Sequence, residues 1–366
     1  VLQGDIVIRG TGDPTLGSRR WKDTEEAAVL QSWVSAVKRQ GITRVEGRII
    51  GDQGLMGSQT IPGGWQWDDI GNYYGAGASA LNWRENQFDI LLQPSSVGGP
   101  VRITGTRPGM DYLEFVNELQ TGAPGTGDKA YVYLPPYREV AYLRGTYAID
   151  ERERSVSAAV PDPAFECAYR FREALLKENI PVSAEATTSR RLELQGKALQ
   201  GLAGTIMVSS SPPLDKIIYW FNQKSVNLYG ESLLKTLALE AGKPGSTDAG
   251  VGVVRDFWAK RGIDTNSLAI ADGSGLSPSN RVTASAMARV LLEARTQAWF
   301  GSFYSSLPEQ NGLRMKSGFI QGVRAYAGYH TGSDGVPYVF VFIINNFNGS
   351  PSEVRLKMWR VLDALK

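Results

Sequence analysis

Two short clusters in the C-terminal half carry side chains that could do chemistry together. In Arg314–Met315–Lys316–Ser317–Gly318–Phe319 a cation stands beside a hydroxyl and a glycine, at the mouth of an expected strand. Upstream, Lys224–Ser225–Val226–Asn227 sets a hydroxyl close to a carboxamide. A lysine next to a hydroxyl can hold a carboxylate, and serine and lysine together can move a proton. A glycine in a strand lets another backbone come close. Taken singly, Lys-Ser-Gly fits a solvated strand end and Ser-Val-Asn fits a helix cap. Their co-occurrence in this order carries the weight.

Composition narrows the alternatives. The chain has 366 residues, 42% of them hydrophobic and 21% charged, which is globular usage with room for two or three domains. A formal net charge of +2 gives no reason to expect nucleic acid. No apolar run is long enough to span a bilayer. The one cysteine, Cys167, sits in a helical pattern and reads as a buried structural thiol. The one histidine, His330, lies near an expected turn at Gly332–Ser333–Asp334–Gly335. With one of each, neither a His/Cys metal site nor a Ser-His-Asp hydrolase is expected, and no cofactor is implied. If the protein does nucleophilic chemistry, lysine is the better base.

Several elements must position these residues. Alternation around Ile6 and Ile8 predicts a strand over 3–10. Ala27, Leu30, Val34 and Val37 predict a helix over 24–39, capped by Asp23 and stopped at Gly41. With a strand over 45–50, the chain opens in an α/β pattern. Glycine and aromatics crowd residues 54–80 (Gly63–Gly64–Trp65–Gln66–Trp67, Tyr73–Tyr74–Gly75). That stretch reads as an ordered loop with local packing, in preference to a sugar- or peptide-binding surface. Strands follow over 86–93 and 101–106, with a strand-like run at Ala130–Leu134 and a helix over 163–178. The character changes near residue 207. Ser211–Pro212–Pro213 predicts a capped helix with Leu214, Ile217, Ile218 and Phe221 inward. Another follows with Leu233, Leu234 and Leu237 inward, and more over 249–261 and 283–295. The tail predicts strands over 314–320, 322–330 and 337–345, the last apolar enough to be buried on both faces. A closing helix over 351–365 carries Val354, Met358, Val361, Leu362 and Leu365. The expected fold class is α/β (α+β), with an antiparallel sheet between helical layers.

The ordered set of motifs resembles a known family. Gly4–Asp5, Gly10–Thr11–Gly12–Asp13–Pro14–Thr15–Leu16, Gly63–Gly64–Trp65, Ser225–Val226–Asn227, Asp272–Gly273–Ser274–Gly275–Leu276–Ser277 and Lys316–Ser317–Gly318 match in order and spacing. They resemble the D-alanyl-D-alanine carboxypeptidase/endopeptidase family of penicillin-binding protein 4 type (peptidase family S13). The resemblance implies a penicillin-recognising serine transpeptidase/β-lactamase-like domain with nested accessory domains. Residues 1–206 would be the accessory insert and 207–366 the C-terminal part of the catalytic domain. It implies a serine-type D-Ala-D-Ala carboxypeptidase/endopeptidase acting on peptidoglycan stem peptides through an acyl-enzyme, with β-lactam antibiotics as acylating inhibitors. The location would be periplasmic or otherwise extracytoplasmic. Oligomeric state stays open.

By the same resemblance, Lys316 would anchor the substrate carboxylate with Ser317, Gly318 would admit the substrate backbone, and the Phe319 N–H would be an oxyanion donor. Ser225 would relay a proton to the leaving amine, and Asn227 would bind a substrate amide and steady the motif's lysine. Asp272 and Ser274 read as turn-shaping residues. The family's S-x-x-K is expected upstream of Val1, since Val1–Leu2–Gln3–Gly4–Asp5 reads as mid-domain sequence. The stretch from Leu307 to Lys316 is shorter than the family pattern implies. A peptidoglycan-binding pseudoenzyme is one alternative. A β-lactamase is another, disfavoured by the long accessory region. Ser35–Ala36–Val37–Lys38 matches S-x-x-K, but it lies on an amphipathic helix with Ser35 turned from the buried stripe, so it is expected to be a decoy.

Overall fold

The structure, a computed structural model, describes residues 1–199, 201–333 and 335–366. The chain opens with β1 (Leu2–Gln3) and β2 (Ile6–Arg9), passes through α1 (Glu26–Arg39) and returns in β3 (Val45–Glu46) and β4 (Ile49–Asp52). β2 and β4 pair in parallel with Ile6 opposite Ile49, the pairing a helical crossover allows. α1 starts later than expected, with Glu25 and not Asp23 at its cap. Its buried face is Val29, Trp33, Val34, Ala36 and Val37, while Ala27 is exposed and Leu30 half-buried. Trp33 accounts for the rotation. Its ring lies 5.8 Å from Trp83 and 5.3 Å from Phe171, and burying so large a ring outweighs burying Ala27.

A separate β unit follows: β5 (Gln87–Gln93), β6 (Arg102–Arg107), β7 (Glu114–Asn117), β8 (Gln120–Gly122), β9 (Asp128–Tyr133), β10 (Val140–Ala148) and β11 (Ser155–Ala159). One sheet runs β11-β5-β6, and a second runs β7-β10-β8 with β9 also on β10. Their inward residues, among them Phe88, Ile90, Val132, Leu143 and Tyr147, form a core of their own. The chain then rejoins the first unit through α2 (Pro163–Lys177), β12 (Thr187–Thr188), which extends the β2–β4 sheet, and α3 (Ser189–Leu194). Asp162 caps α2 by accepting from the Phe165 N–H, with Pro163 in the first turn. Cys167 is buried in the shared core, as expected, and burial pushes its thiol well above the usual range.

The C-terminal region begins with α4 (Leu214–Lys224), α5 (Asn227–Glu240) and α6 (Thr247–Ala259). Ser211 does not cap α4: the cap position is Pro213, with no side-chain bond. Of the residues expected inward, Leu214 is 56% and Leu237 46% exposed, whereas Ile217 and Leu234 are buried. A small hairpin of β13 (Leu268–Ala269) and β14 (Arg281–Val282) leads to α7 (Ala284–Arg295) and to α8 (Phe300–Ser306), a helix the sequence did not announce. The tail sheet is antiparallel in the order β15 (Glu309–Gln310), β16 (Leu313–Ile320), β17 (Val323–Thr331), β18 (Pro337–Asn345), and α9 (Pro351–Leu362) closes the chain. Asn311 and Gly312, both at positive φ, make the two-residue turn between β15 and β16, so the short Leu307–Lys316 stretch is a tight hairpin. Asp334 of the expected turn lies outside the described residues.

The tail sheet lies between helical layers. Met315, Tyr326 and Phe340 meet Val354, Met358 and Leu362 of α9. On the other face Tyr329, Val339 and Val341 meet Leu291 of α7 and Phe300 and Phe303 of α8. β18 is touched on both faces, yet only Phe340 within it is buried, because it is the sheet's edge among the described residues. Val361 of α9 faces solvent, against expectation.

Candidate active site

β16 and the α4–α5 junction meet at the site. Ser225 ends α4 in the left-handed region (φ 51°, ψ 49°), Val226 turns into the core, and Asn227 opens α5. A non-glycine residue held there is a strained one, maintained by the packing on either side. The conformation leaves Ser225 exposed between two helices, and the Lys316 Nζ donates to its Oγ. Lys316 also donates to the Ser317 carbonyl at 2.9 Å. It has no carboxylate partner among the described residues, and burial pulls its pKa below the usual lysine range. A half-buried, unpaired cation favours an anionic ligand. Because Ser225 Oγ accepts from Lys316, its own O–H is free to point elsewhere.

The edge of β16 is open beyond β15. β15 pairs only with Leu313 and Arg314, so from Lys316 onward β16 has β17 on one side and no strand on the other among the described residues. The Met315 N–H points to that other side, donating to the Pro308 carbonyl at 3.0 Å. Strand alternation therefore turns the N–H groups of Ser317 and Phe319 to the open edge. The Ser317 hydroxyl accepts from Gln310 Nε2 at 3.3 Å. Across β17, a side chain at Gly328 would stand 2.2 Å from the Arg314 carbonyl, so glycine there lets β16 lie flat.

Asn227 is held differently from Ser225. Its Nδ2 donates to the Tyr74 carbonyl at 2.8 Å, which fixes the carboxamide and leaves Oδ1 as an acceptor. The 54–80 loop thus reaches well beyond local packing. Trp65 Nε1 donates at 2.9 Å to Asp272, far along the chain. Asp272 also accepts from the N–H groups of Gly275 and Ser277 and from Asn280, a turn-shaping role as expected.

Sequence reading missed the support beneath Asn227. Glu231 of α5 accepts from the Gly273 and Ser274 N–H groups at 3.0 and 2.8 Å. Burial, with Asp272 adding repulsion, raises its pKa to about 7. Lys235, one turn on, donates to the Gln59 and Ala78 carbonyls and is lowered to about 8 by burial. Ser232 and Lys235 also have S-x-x-K spacing, which the sequence reading passed over. Both are only 1% exposed, out of reach of any substrate in this conformation. At the other S-x-x-K, Lys38 is exposed and pairs with Glu178 at 2.7 Å, while Ser35 is half-buried in α1.

The family model for the D-Ala-D-Ala carboxypeptidase 3 (S13) family matches residues 1–365. The chain belongs to the S13 family. A D-alanyl-D-alanine carboxypeptidase of Actinomadura sp. (strain R39) is 25% identical over 96% of this chain and 68% of that protein. The crystal structure of penicillin binding protein 4 (dacB) from Haemophilus influenzae shares the fold, with a TM-score of 0.76 at 22% identity over 95% of this chain and 77% of that one. The structure of penicillin binding protein 4 from that organism complexed with a β-lactam gives a TM-score of 0.73 at 19% identity, over 99% of this chain and 81% of that one. S13 membership makes this a chain of the serine D-Ala-D-Ala carboxypeptidases, hydrolases of the cell-wall peptide. No helix among the described residues is long and apolar enough to cross a membrane.

Proposed function

We propose that this protein removes the terminal D-alanine from peptidoglycan stem peptides, and cuts D-Ala-containing cross-links, through a serine acyl-enzyme that β-lactams intercept. The observation that carries the reading is Lys316 Nζ on Ser225 Oγ beside the open edge of β16. In this mechanism the substrate lies along β16 with its carboxylate on Lys316 and Ser317. The Phe319 N–H meets the developing oxyanion, as charge there demands a fixed donor. Ser225 gives its proton to the departing D-Ala amine and regains one from Lys316, whose burial eases the transfer. Asn227 Oδ1 accepts from the substrate amide or from the motif's lysine. The β-lactam complex of the Haemophilus influenzae protein is in keeping with this reading.

On this reading residues 207–366 belong to the catalytic domain and 1–206 to nested accessory units, in keeping with the separate core of β5–β11. The site works outside the cytoplasmic membrane, where its substrate lies. A peptidoglycan-binding pseudoenzyme is the second reading, in which Lys316, Ser225 and Asn227 hold a stem peptide without cutting it. The experiment is intact mass spectrometry of the full-length gene product after incubation with benzylpenicillin, together with release of D-alanine from a pentapeptide. One covalent adduct and D-alanine release are expected. A folded protein giving neither would sink the enzyme and leave the pseudoenzyme.

A further inference from the structure

A second cleft, of about 600 Å³, lies where β9 and β10 face α3, and shares no lining residue with the site around Lys316. Trp67, Tyr133, Tyr137, Tyr142, Arg138 and Arg190 line it. Its volume falls within the range of small-molecule sites.

Three features mark it as built for a ligand. First, aromatic faces are left open. Trp67 is 53% and Tyr142 40% exposed, although aromatic rings usually seek burial. The Trp67 ring leans on Tyr133 at 5.9 Å. The Arg144 guanidinium lies 5.6 Å from Tyr133 and 5.4 Å from Tyr142, and is itself fixed by Glu118 at 2.6 Å. The guanidinium thus bridges the two tyrosine faces. Second, Tyr137 is held at positive φ with its hydroxyl donating to the Ser58 carbonyl at 2.8 Å, and its ring carries the Arg190 guanidinium at 4.3 Å. Third, the charges do not cancel. Glu139 and Asp162 are both engaged by Arg191, at 3.3 and 3.2 Å. Arg138 and Arg190 make no ion pair within 4 Å among the described residues, although Asp162 feels the Arg190 charge, and the Arg190 Nε is buried with no hydrogen-bond partner.

Flat apolar faces suit the C–H faces of a sugar ring, and uncommitted guanidinium forks suit a carboxylate. We infer that this cleft binds a saccharide bearing a free carboxylate, and that it holds a peptide-free stretch of glycan strand, whose muramyl carboxylates are no longer in amide linkage, while the Lys316 site addresses peptide. Only the choice of glycan rests on the proposed function; the cleft's chemistry does not.

The test titrates this chain with peptide-free glycan strands of alternating N-acetylglucosamine and N-acetylmuramic acid, following tryptophan fluorescence and heat. Chitotetraose, a neutral chain of similar sugars, is the control. Saturable binding of the acidic strand is expected, at least tenfold tighter than chitotetraose. Trp67→Ala and Arg190→Gln should each weaken it at least tenfold, with Trp67→Tyr restoring most of it. Arg138→Gln, at an exposed position, serves if Arg190→Gln does not fold. Penicillin labelling of the full-length protein should be the same in all variants. No saturable binding, equal binding of the neutral chain, or variants that bind like wild type would each overturn the inference. Labelled protein without glycan binding would do so and leave the proposed function standing.

Discussion

Lys316 Nζ donates its hydrogen bond to Ser225 Oγ across a separation of 91 residues, joining an open strand edge to the turn between two helices. Within its own strand Lys316 meets only the Ser317 carbonyl, at 2.9 Å. The contact sets the lysine's direction and leaves the serine's proton free.

Lys316→Ala should therefore slow acylation of the full-length protein by benzylpenicillin by about one to two decades, the worth of a charge-assisted hydrogen bond of roughly 1.5–3 kcal/mol made in the transition state. Lys224→Ala, at an exposed neighbour of Ser225, should stay within about twofold. Stopped-flow acylation rates decide it, and equal losses would mean the anchor lies elsewhere.

Glu231 makes stability depend on pH. Its folded pKa of about 7 lies above the ordinary 4.5. The raised value means that the folded state holds the proton more tightly, so its contribution is full below about pH 4.5 and is lost as pH rises through 7. Lys235 works from the other side. Its value is depressed to about 8, so its contribution is present above the unfolded lysine range and is lost as pH falls through 8. Between pH 5 and 7 the Glu231 slope dominates. Urea midpoints should fall across that window, by about 1–3 kcal/mol in stability. Glu231→Gln, which keeps an acceptor for Gly273 and Ser274, should flatten the slope.

Gly230 and Gly273 touch backbone to backbone. A Cβ on Gly230 would stand 2.5 Å from the Gly273 carbonyl oxygen, and one on Gly273 would stand 2.2 Å from that of Gly230. Either glycine to alanine should cost about 1–3 kcal/mol by forcing the 272–277 loop off α5. Gly252→Ala in α6, where nothing lies within 4 Å, should be neutral or stabilise by up to about 1 kcal/mol. Thermal midpoints of the three variants give the contrast.

Ser35→Ala and Ser232→Ala should both leave penicillin labelling intact. Lys38 is occupied by Glu178, and Ser232 is only 1% exposed. The Ser232 Oγ is buried without a partner, so its removal should not destabilise the fold. Loss of labelling in either variant would assign the nucleophile to that serine.

What the sequence determined by itself is local. The helical pattern over 163–178 anticipated α2, though not its Asp162 cap, and the runs over 314–320, 322–330 and 337–345 anticipated the tail strands. The ordered set of short motifs, from Gly4–Asp5 to Lys316–Gly318, pointed to the family, because each is weak alone and their order and spacing together are specific. What only the tertiary structure decided is partnership. Periodicity says that a face is buried but not against what, and so it misjudged α1, where Trp33 turns the buried face away from Ala27. It could not tell that β18 would lie at an edge, since an apolar strand looks the same there as in the middle of a sheet. It gave no sign that Ser225 would adopt a left-handed conformation, that Tyr74 would hold Asn227, or that Trp67 and Arg190 would line one cleft. Those contacts join segments far apart in sequence. They are set by how whole units pack, a property no local window of residues contains.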